Sequence, residues 1–174
     1  MTEETNPAMI RKPAGYSRRK MMTGSIGGAL GMAAAQAEEG SKAVVAAKAI
    51  HQEEDFGASP KRIYEALLNA AQFKAFSGGR AAEIDRAVGG AFSVFNGHIV
   101  GRNLDLAPGR RIVQAWRVAT WPEGSYSIAK FELQAQGPGC KIIFDHLGFP
   151  AELAEHLASG WQENYWIPLK KYLS

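Results

Sequence analysis

Between Leu153 and Tyr172 the residues Leu153, Leu157, Trp161, Tyr165, Leu169 and Tyr172 recur at spacings of four, four, four, four and three. That period describes one face of a helix. Pro168 falls inside the run, where it removes a backbone hydrogen bond, so a kink is expected there. A stripe this long and aromatic must be buried against another layer. The sequence ahead of it supplies one, because it reads as strands and tight turns.

The first strand is expected over 43–56, with soft, alanine-rich alternation. Ser59 and Pro60 then open a helix: the serine accepts from a free N–H and the proline suits the first helical position. Ile63, Tyr64, Leu67 and Leu68 form its apolar stripe and Asn69 stops it. A second short helix follows over 70–76. Strands are expected over 82–88, 91–95, 98–106, 111–119, 127–136 and 141–147. They are separated by Gly89-Gly90, Asn96-Gly97, Pro108-Gly109, Trp121-Pro122-Glu123-Gly124 and Gly137-Pro138-Gly139. In 127–136 one face carries Ala129, Phe131, Leu133 and Ala135; in 141–147 one face carries Ile142, Phe144 and His146. An antiparallel sheet needs its apolar face covered, and only the terminal helix is long enough to cover it. The expected class is therefore α+β in a helix-grip arrangement: about six or seven antiparallel strands wrapped around a long C-terminal helix.

Charge divides the chain. Five basic residues (Arg11, Lys12, Arg18, Arg19, Lys20) and two acidic ones (Glu3, Glu4) precede Glu38; of 20 and 17 in all, fifteen of each remain. The net charge of +3 thus sits in the leader, and a neutral body offers no electrostatic footprint for nucleic acid. Residues 1–37 resemble a twin-arginine signal peptide. Arg18-Arg19 stand before a weakly apolar run, and Ala35-Gln36-Ala37 suits a signal peptidase. The run is too short to span a bilayer, and no stable membrane anchor is expected. The domains read as 1–37 leader, 38–42 linker and 43–174 body. The expected location is the periplasm or exterior, reached through the twin-arginine export machinery, or the cytoplasm if the leader is silent.

From Leu104 onward a set of short motifs keeps a common order. These are Leu104-Asp105-Leu106-Ala107-Pro108, Trp116-Arg117, Trp121-Pro122-Glu123-Gly124, His146-x-Gly148-Phe149-Pro150 and Gly160-Trp161. Together they resemble the family of the C-terminal domain of the activator of Hsp90 ATPase, within the START-like (SRPBCC, Bet v 1-like) superfamily. The resemblance covers about 43–173. It implies a sheet gripping a helix with a cavity between them. In the eukaryotic activator the corresponding domain works beside a separate N-terminal domain. Only the leader precedes the body here, so Hsp90 is not the expected partner.

The inner faces offer Trp116, Phe131, Phe144, His146, Trp161 and Tyr165 as candidate ligand-binding residues. Aromatic walls with a few polar groups suit a small hydrophobic molecule or lipid, the expected ligand. His146 is the one candidate catalytic group, as a general base or a donor to a ligand carbonyl, against the alternative of a satisfied core histidine. The leading expectation is a non-catalytic binding protein. The alternatives are an enzyme of cyclase, dehydratase or hydrolase type using His146, and a chaperone-activator-like interaction module. No metal site is expected, since His51, His98, His146 and His156 lack ligand spacing, and no cofactor is expected either. Cys140 reads as a small packing residue, not a nucleophile.

Overall fold

The chain divides into two units, Met1–Lys42 and Ala43–Ser174. A computed structural model describes residues 48–174, all within the second. The twin-arginine leader, its cleavage residues and the first part of the expected strand over 43–56 lie outside the described residues.

Strand β1 (Ala49–Phe56) is followed by helices α1 (Pro60–Leu68) and α2 (Ala70–Phe76), then strands β2 (Glu83–Ile84), β3 (Ala91–Val94), β4 (Ile99–Ala107), β5 (Arg111–Val118), β6 (Ser127–Gln136) and β7 (Gly139–Leu147). The seven strands form one antiparallel sheet in the order β1-β7-β6-β5-β4-β3-β2. Consecutive strands from β2 to β7 are neighbours, and β1 closes against β7. The terminal helix lies across the inner face, as the helix-grip expectation requires.

Local chemistry accounts for the helix ends. Ser59 caps α1 by accepting from the Arg62 N–H, and Asn69 ends α1 while capping α2 by accepting from the Gln72 N–H. The α1 stripe Ile63, Tyr64, Leu67 and Leu68 is buried. On the sheet, Ala129 faces His146, Phe131 faces Phe144 and Leu133 faces Ile142 in register, and all six are buried. The outer face is polar. There Asp145 pairs with His51 at 2.7 Å and with Lys130 at 3.1 Å, while Lys141 pairs with Glu53 at 2.8 Å.

Two expectations are corrected. Only Glu83–Ile84 forms a strand where 82–88 was expected. Beyond Ile84 the Asp85 side chain accepts from the Ala87 N–H, and Gly90 N–H returns to Ala87 O, so the chain curls into a loop. Gly90 is required there, because a Cβ would lie 2.6 Å from Asp85 O. The second correction concerns the terminal helix. It begins as a 3₁₀ turn (Ala151–Leu153), continues as α3 (Ala154–Trp161), widens to a π-helical turn (Gln162–Trp166) and ends as α4 (Ile167–Leu173). The distortion precedes Pro168, with Ile167 N–H bonded five residues back to Gln162 O. The extra residue shifts the stripe: Tyr165 and Trp166 are both buried, and Leu173 replaces Tyr172 on the inner face.

Edge strand β1 meets this helix through polar groups. Trp166 Nε1 donates to Gln52 Oε1 at 2.6 Å, and Gln52 Nε2 donates to Ala158 O at 3.0 Å. Glu54 accepts from Gln162 at 2.5 Å and pairs with Lys170 at 2.6 Å. The inward side chains of β1 at Gln52 and Glu54 are thus hydrogen-bonding residues, flanked by buried Ile50 and Phe56.

Candidate functional site

Between the terminal helix and strands β4 and β5 lies a cleft of about 570 Å³. Its floor is Phe95, Ile99, Trp116, Val118, Leu157, Trp161 and Tyr165, and its polar rim is Arg80, His98, Glu155, His156, Glu163 and Asn164. Such a volume lies within the ~300–1,000 Å³ usual for small-molecule sites. Of the six sequence-nominated residues, Trp116, Trp161 and Tyr165 line this cleft. Phe131 lines only a minor void of about 10 Å³ beside Tyr165, and Phe144 and His146 line neither space. Those three are core residues behind the cleft wall: Phe144 lies 4.3 Å from Trp161 and 5.0 Å from Phe131, ring centre to ring centre.

His146 is held on both sides of its ring. Trp161 Nε1 donates to Nδ1 at 3.0 Å, and Ser127 Oγ lies 2.7 Å from Nε2. An indole N–H only donates, so Nδ1 is the bare nitrogen and Nε2 carries the proton. Nε2 then donates to Ser127 Oγ, whose own O–H donates to Trp116 O at 2.8 Å. Every member is satisfied by a neutral imidazole, and burial lowers the His146 pKa to about 4. So placed, it presents neither a free lone pair nor a free proton to the cleft. Ser127, which completes the relay, carries no sequence signal beyond its place at the head of β6.

The cleft wall contains two departures from ordinary packing. Phe95 and Asn96 have φ of 54° and 58°, a left-handed backbone that is costly for a phenylalanine. The turn is held by Asn96 Oδ1 accepting from Ala81 N–H at 2.7 Å, and by Arg80, whose guanidinium lies 4.5 Å over the Phe95 ring. The Phe95 ring in turn meets Tyr165 at 5.1 Å. Gly160 is the second departure. It sits inside α3, where glycine costs about 1 kcal/mol relative to alanine, yet a Cβ there would meet nothing within 4 Å. Packing does not demand this glycine; it widens the cleft that it lines.

One polar atom at the wall is unsatisfied. The buried Trp116 Nε1–H has no hydrogen-bond partner among the described residues. The Tyr165 hydroxyl is close enough for the indole to act on its ionisation, but the pair falls outside hydrogen-bond geometry. Burial raises the phenol's pKa, with the indole N–H and the Arg80 charge opposing, so the hydroxyl stays neutral. An unsatisfied buried donor costs roughly 1–3 kcal/mol.

The sequence comparison decides the family: the model for "Activator of Hsp90 ATPase homolog 1-like protein" matches residues 57–174. The chain belongs to that family. The mouse activator of 90 kDa heat shock protein ATPase homolog 1 is 30% identical over 119 residues, covering 68% of this chain and 35% of the mouse protein. A Schizosaccharomyces pombe protein is 31% identical over 176 residues, covering 97% and 52% respectively. The chain therefore spans only a third to a half of these relatives. Among solved structures, the Hsp90 activator PFC0360w from Plasmodium falciparum aligns with a TM-score of 0.69 at 26% identity, covering 72% of this chain and 95% of that one. CalU16 from Micromonospora echinospora aligns at 0.63 and 20% identity, covering 74% and 77%, a likeness of fold.

Within the family's frame the motif residues hold corners. Arg117 Nη2 donates to Trp121 O at 2.7 Å and Ala119 O at 3.0 Å, fixing the turn after β5. Gly148 takes a φ of 77° at the exit from β7. The buried Cys140 thiol is pushed up to about 11 by burial, which keeps it protonated and unreactive.

The His146 relay makes a pH-dependent contribution to stability. Its folded pKa of about 4 lies below the ordinary 6.5, so the unfolded chain binds the proton more readily. The contribution is complete above pH 6.5, declines as pH falls from 6.5 to 4, and amounts to about 3 kcal/mol lost at the acid end. Denaturant midpoints across that range should fall more steeply for the wild type than for His146→Gln. Parallel profiles would show that the imidazole is not held neutral.

Proposed function

We propose that this protein is a START-like binding module that takes a small hydrophobic molecule into the cleft between its terminal helix and strands β4 and β5. The observation that carries the reading is the aromatic-walled cleft of about 570 Å³, lined in part by a helical glycine that packing does not require. We read the role as non-catalytic: His146, the one catalytic candidate of the sequence, is spent on structural hydrogen bonds. The leader with Arg18, Arg19, Ala35 and Ala37 directs this module out of the cytoplasm by the twin-arginine route.

A second reading, a chaperone-directed interaction module, is favoured by the 30% identity to the mouse activator and by the likeness to the Plasmodium falciparum Hsp90 activator. The two readings separate readily by experiment.

Native mass spectrometry of the purified full chain should reveal a bound small molecule, released on denaturation and recoverable by organic extraction. Gly160→Leu, which projects a side chain into the cleft, should abolish that species while leaving the circular dichroism spectrum intact. An unliganded wild type that also takes up no apolar probe would sink the binding reading. Replacement of Arg18-Arg19 by Lys-Lys should retain the chain in the cytoplasmic fraction; unchanged distribution would remove export by this route. The chaperone reading requires the purified chain to raise ATP turnover by an Hsp90-type chaperone several-fold, and no stimulation at saturating protein would dispose of it.

A further inference from the structure

The motif Leu104-Asp105-Leu106-Ala107-Pro108 contributes nothing to the cleft wall. It begins at a break in the sheet, where the register between β4 and β5 slips between Asn103 and Asp105 in a β-bulge. Asn103 is fully buried and ties the surroundings together. Its Nδ2 donates to Asp85 O at 2.8 Å, and its Oδ1 accepts from Gln114 Nε2 at 3.0 Å. Its backbone N–H donates to Gly90 O at 2.9 Å, and its carbonyl accepts from the Gly89 N–H at 2.6 Å. The loop between β2 and β3 is thus pinned to the bulge. With Asn103 turned inward, Leu104 stands out at 45% exposure, and the pinned loop presents Val88 at 63%. Neither belongs to the core.

Cations surround this pair and are joined to it by short contacts. Arg102 Nη1 donates to Gly89 O at 2.9 Å, Arg86 pairs with Glu65 of α1 at 2.7 Å, and Arg111 pairs with Asp105 at 2.6 Å. The start of α1 touches the turn after β4, since a Cβ on Gly109 would lie 4.0 Å from Lys61 Cα. That contact brings the exposed Lys61, Arg62 and Arg110 to the same surface. The nearby carboxylates are already engaged: Glu65 with Arg86, Asp105 with Arg111, and Asp85 with the Ala87 N–H. Lys61, Arg62, Arg102 and Arg110 have no carboxylate partner among the described residues. A body whose charges balance as a whole therefore carries a local positive surplus around two exposed aliphatic side chains.

The residue types narrow the partner. Five of the six cations are arginines, whose planar fork matches a carboxylate with two hydrogen bonds. A phosphate backbone would leave Val88 and Leu104 uncovered. A bilayer surface is anchored by aromatic side chains, and no exposed aromatic stands in this group.

We infer that this surface docks an acidic polypeptide segment bearing an aliphatic anchor, with its carboxylates on Lys61, Arg62, Arg102 and Arg110 and its apolar side chain against Val88 and Leu104. The inference is independent of the cleft and of any ligand there.

The test titrates a synthetic peptide of repeated Glu-Glu-Leu into the isotope-labelled full chain. Binding should shift the methyl resonances of Val88 and Leu104 and the amide of Gly89, while the methyls of Leu157 in the cleft stay in place. Raising salt from about 50 to about 300 mM should weaken it about tenfold. Lys61→Glu combined with Arg110→Glu should abolish measurable binding, and Val88→Ser combined with Leu104→Ser should weaken it about tenfold. All four positions are exposed, so an unchanged circular dichroism spectrum is expected of both variants. A leucine-free glutamate peptide that binds equally well overturns the anchor. Tighter binding to phosphatidylglycerol vesicles or to duplex DNA overturns the polypeptide assignment. No binding, or shifts confined to the cleft, overturns the docking surface and leaves the ligand reading of the cleft standing.

Discussion

Where the terminal helix crosses the sheet, Trp161 packs 4.3 Å from Phe144 and 5.8 Å from Phe131, and donates its N–H to His146 Nδ1 at 3.0 Å. Apolar contacts alone would let the helix slide or rotate at little cost, because they have no direction. The hydrogen bond has one, and it is formed in a setting where leaving it unmade is expensive. It therefore fixes both the rotation and the axial position of the helix. The relay continues through Ser127 to Trp116 O, so the same bond ties the helix to β7, β6 and β5 together. What the imidazole gives in specificity it gives up in chemistry, since a ring engaged at both nitrogens is unavailable to a substrate.

With Trp161 fixed, the next turn of helix has to place two aromatic neighbours. In a regular α-helix Tyr165 and Trp166 point about 100° apart, and only one of them would face the sheet. The π turn over Gln162–Trp166 adds a residue and lets both turn inward, Tyr165 to the cleft and Trp166 to the latch with Gln52. The widened turn ends at Trp166, one residue short of the Ile167-Pro168 step, and the proline's ring nitrogen has no hydrogen to give. Helix deformation and proline are therefore adjacent, with regular α-helix over Ala154–Trp161 before them and Ile167–Leu173 around the proline.

The sequence carried the frame well because the frame rests on local signals. Ser59, Pro60 and Asn69 bound the first two helices through caps that the chain itself provides. The alternation of Phe131 and Leu133, and of Ile142 and Phe144, defines the inner face of β6 and β7, and the register confirms it. Other features depended on the tertiary context. Strand β1 faces inward with the half-buried Gln52 and Glu54, which alternation alone cannot mark as inward, and the partners that satisfy them lie more than a hundred residues away. A period of four in the last helix points to Tyr172, because a π turn leaves no trace in spacing; the inserted residue makes it Leu173. The cleft was legible only in part. Trp116, Trp161 and Tyr165 show as inward aromatics, whereas Arg80 comes from a loop where no periodicity applies and Phe95 leaves the strand expected over 91–95 for a left-handed turn.

The residues that identify the family and those that give this member its cleft overlap at only a few positions. Arg117 and Gly148 secure turns, and a protein with any occupant, or none, would need them. Trp116 and Gly160-Trp161 belong to both sets, and they differ in what they require. Trp161 is satisfied by the core. Gly160 and the Trp116 N–H are not, the one leaving space that no neighbour fills and the other a proton that no neighbour accepts. A fold selected for packing alone would place alanine at the first and aim an oxygen at the second. Both departures fall on the wall of the same cleft, beside a phenylalanine held in a left-handed backbone conformation. Strain, an unfilled helical position and an unmade hydrogen bond thus concentrate at one wall of the fold, where packing alone accounts for none of them.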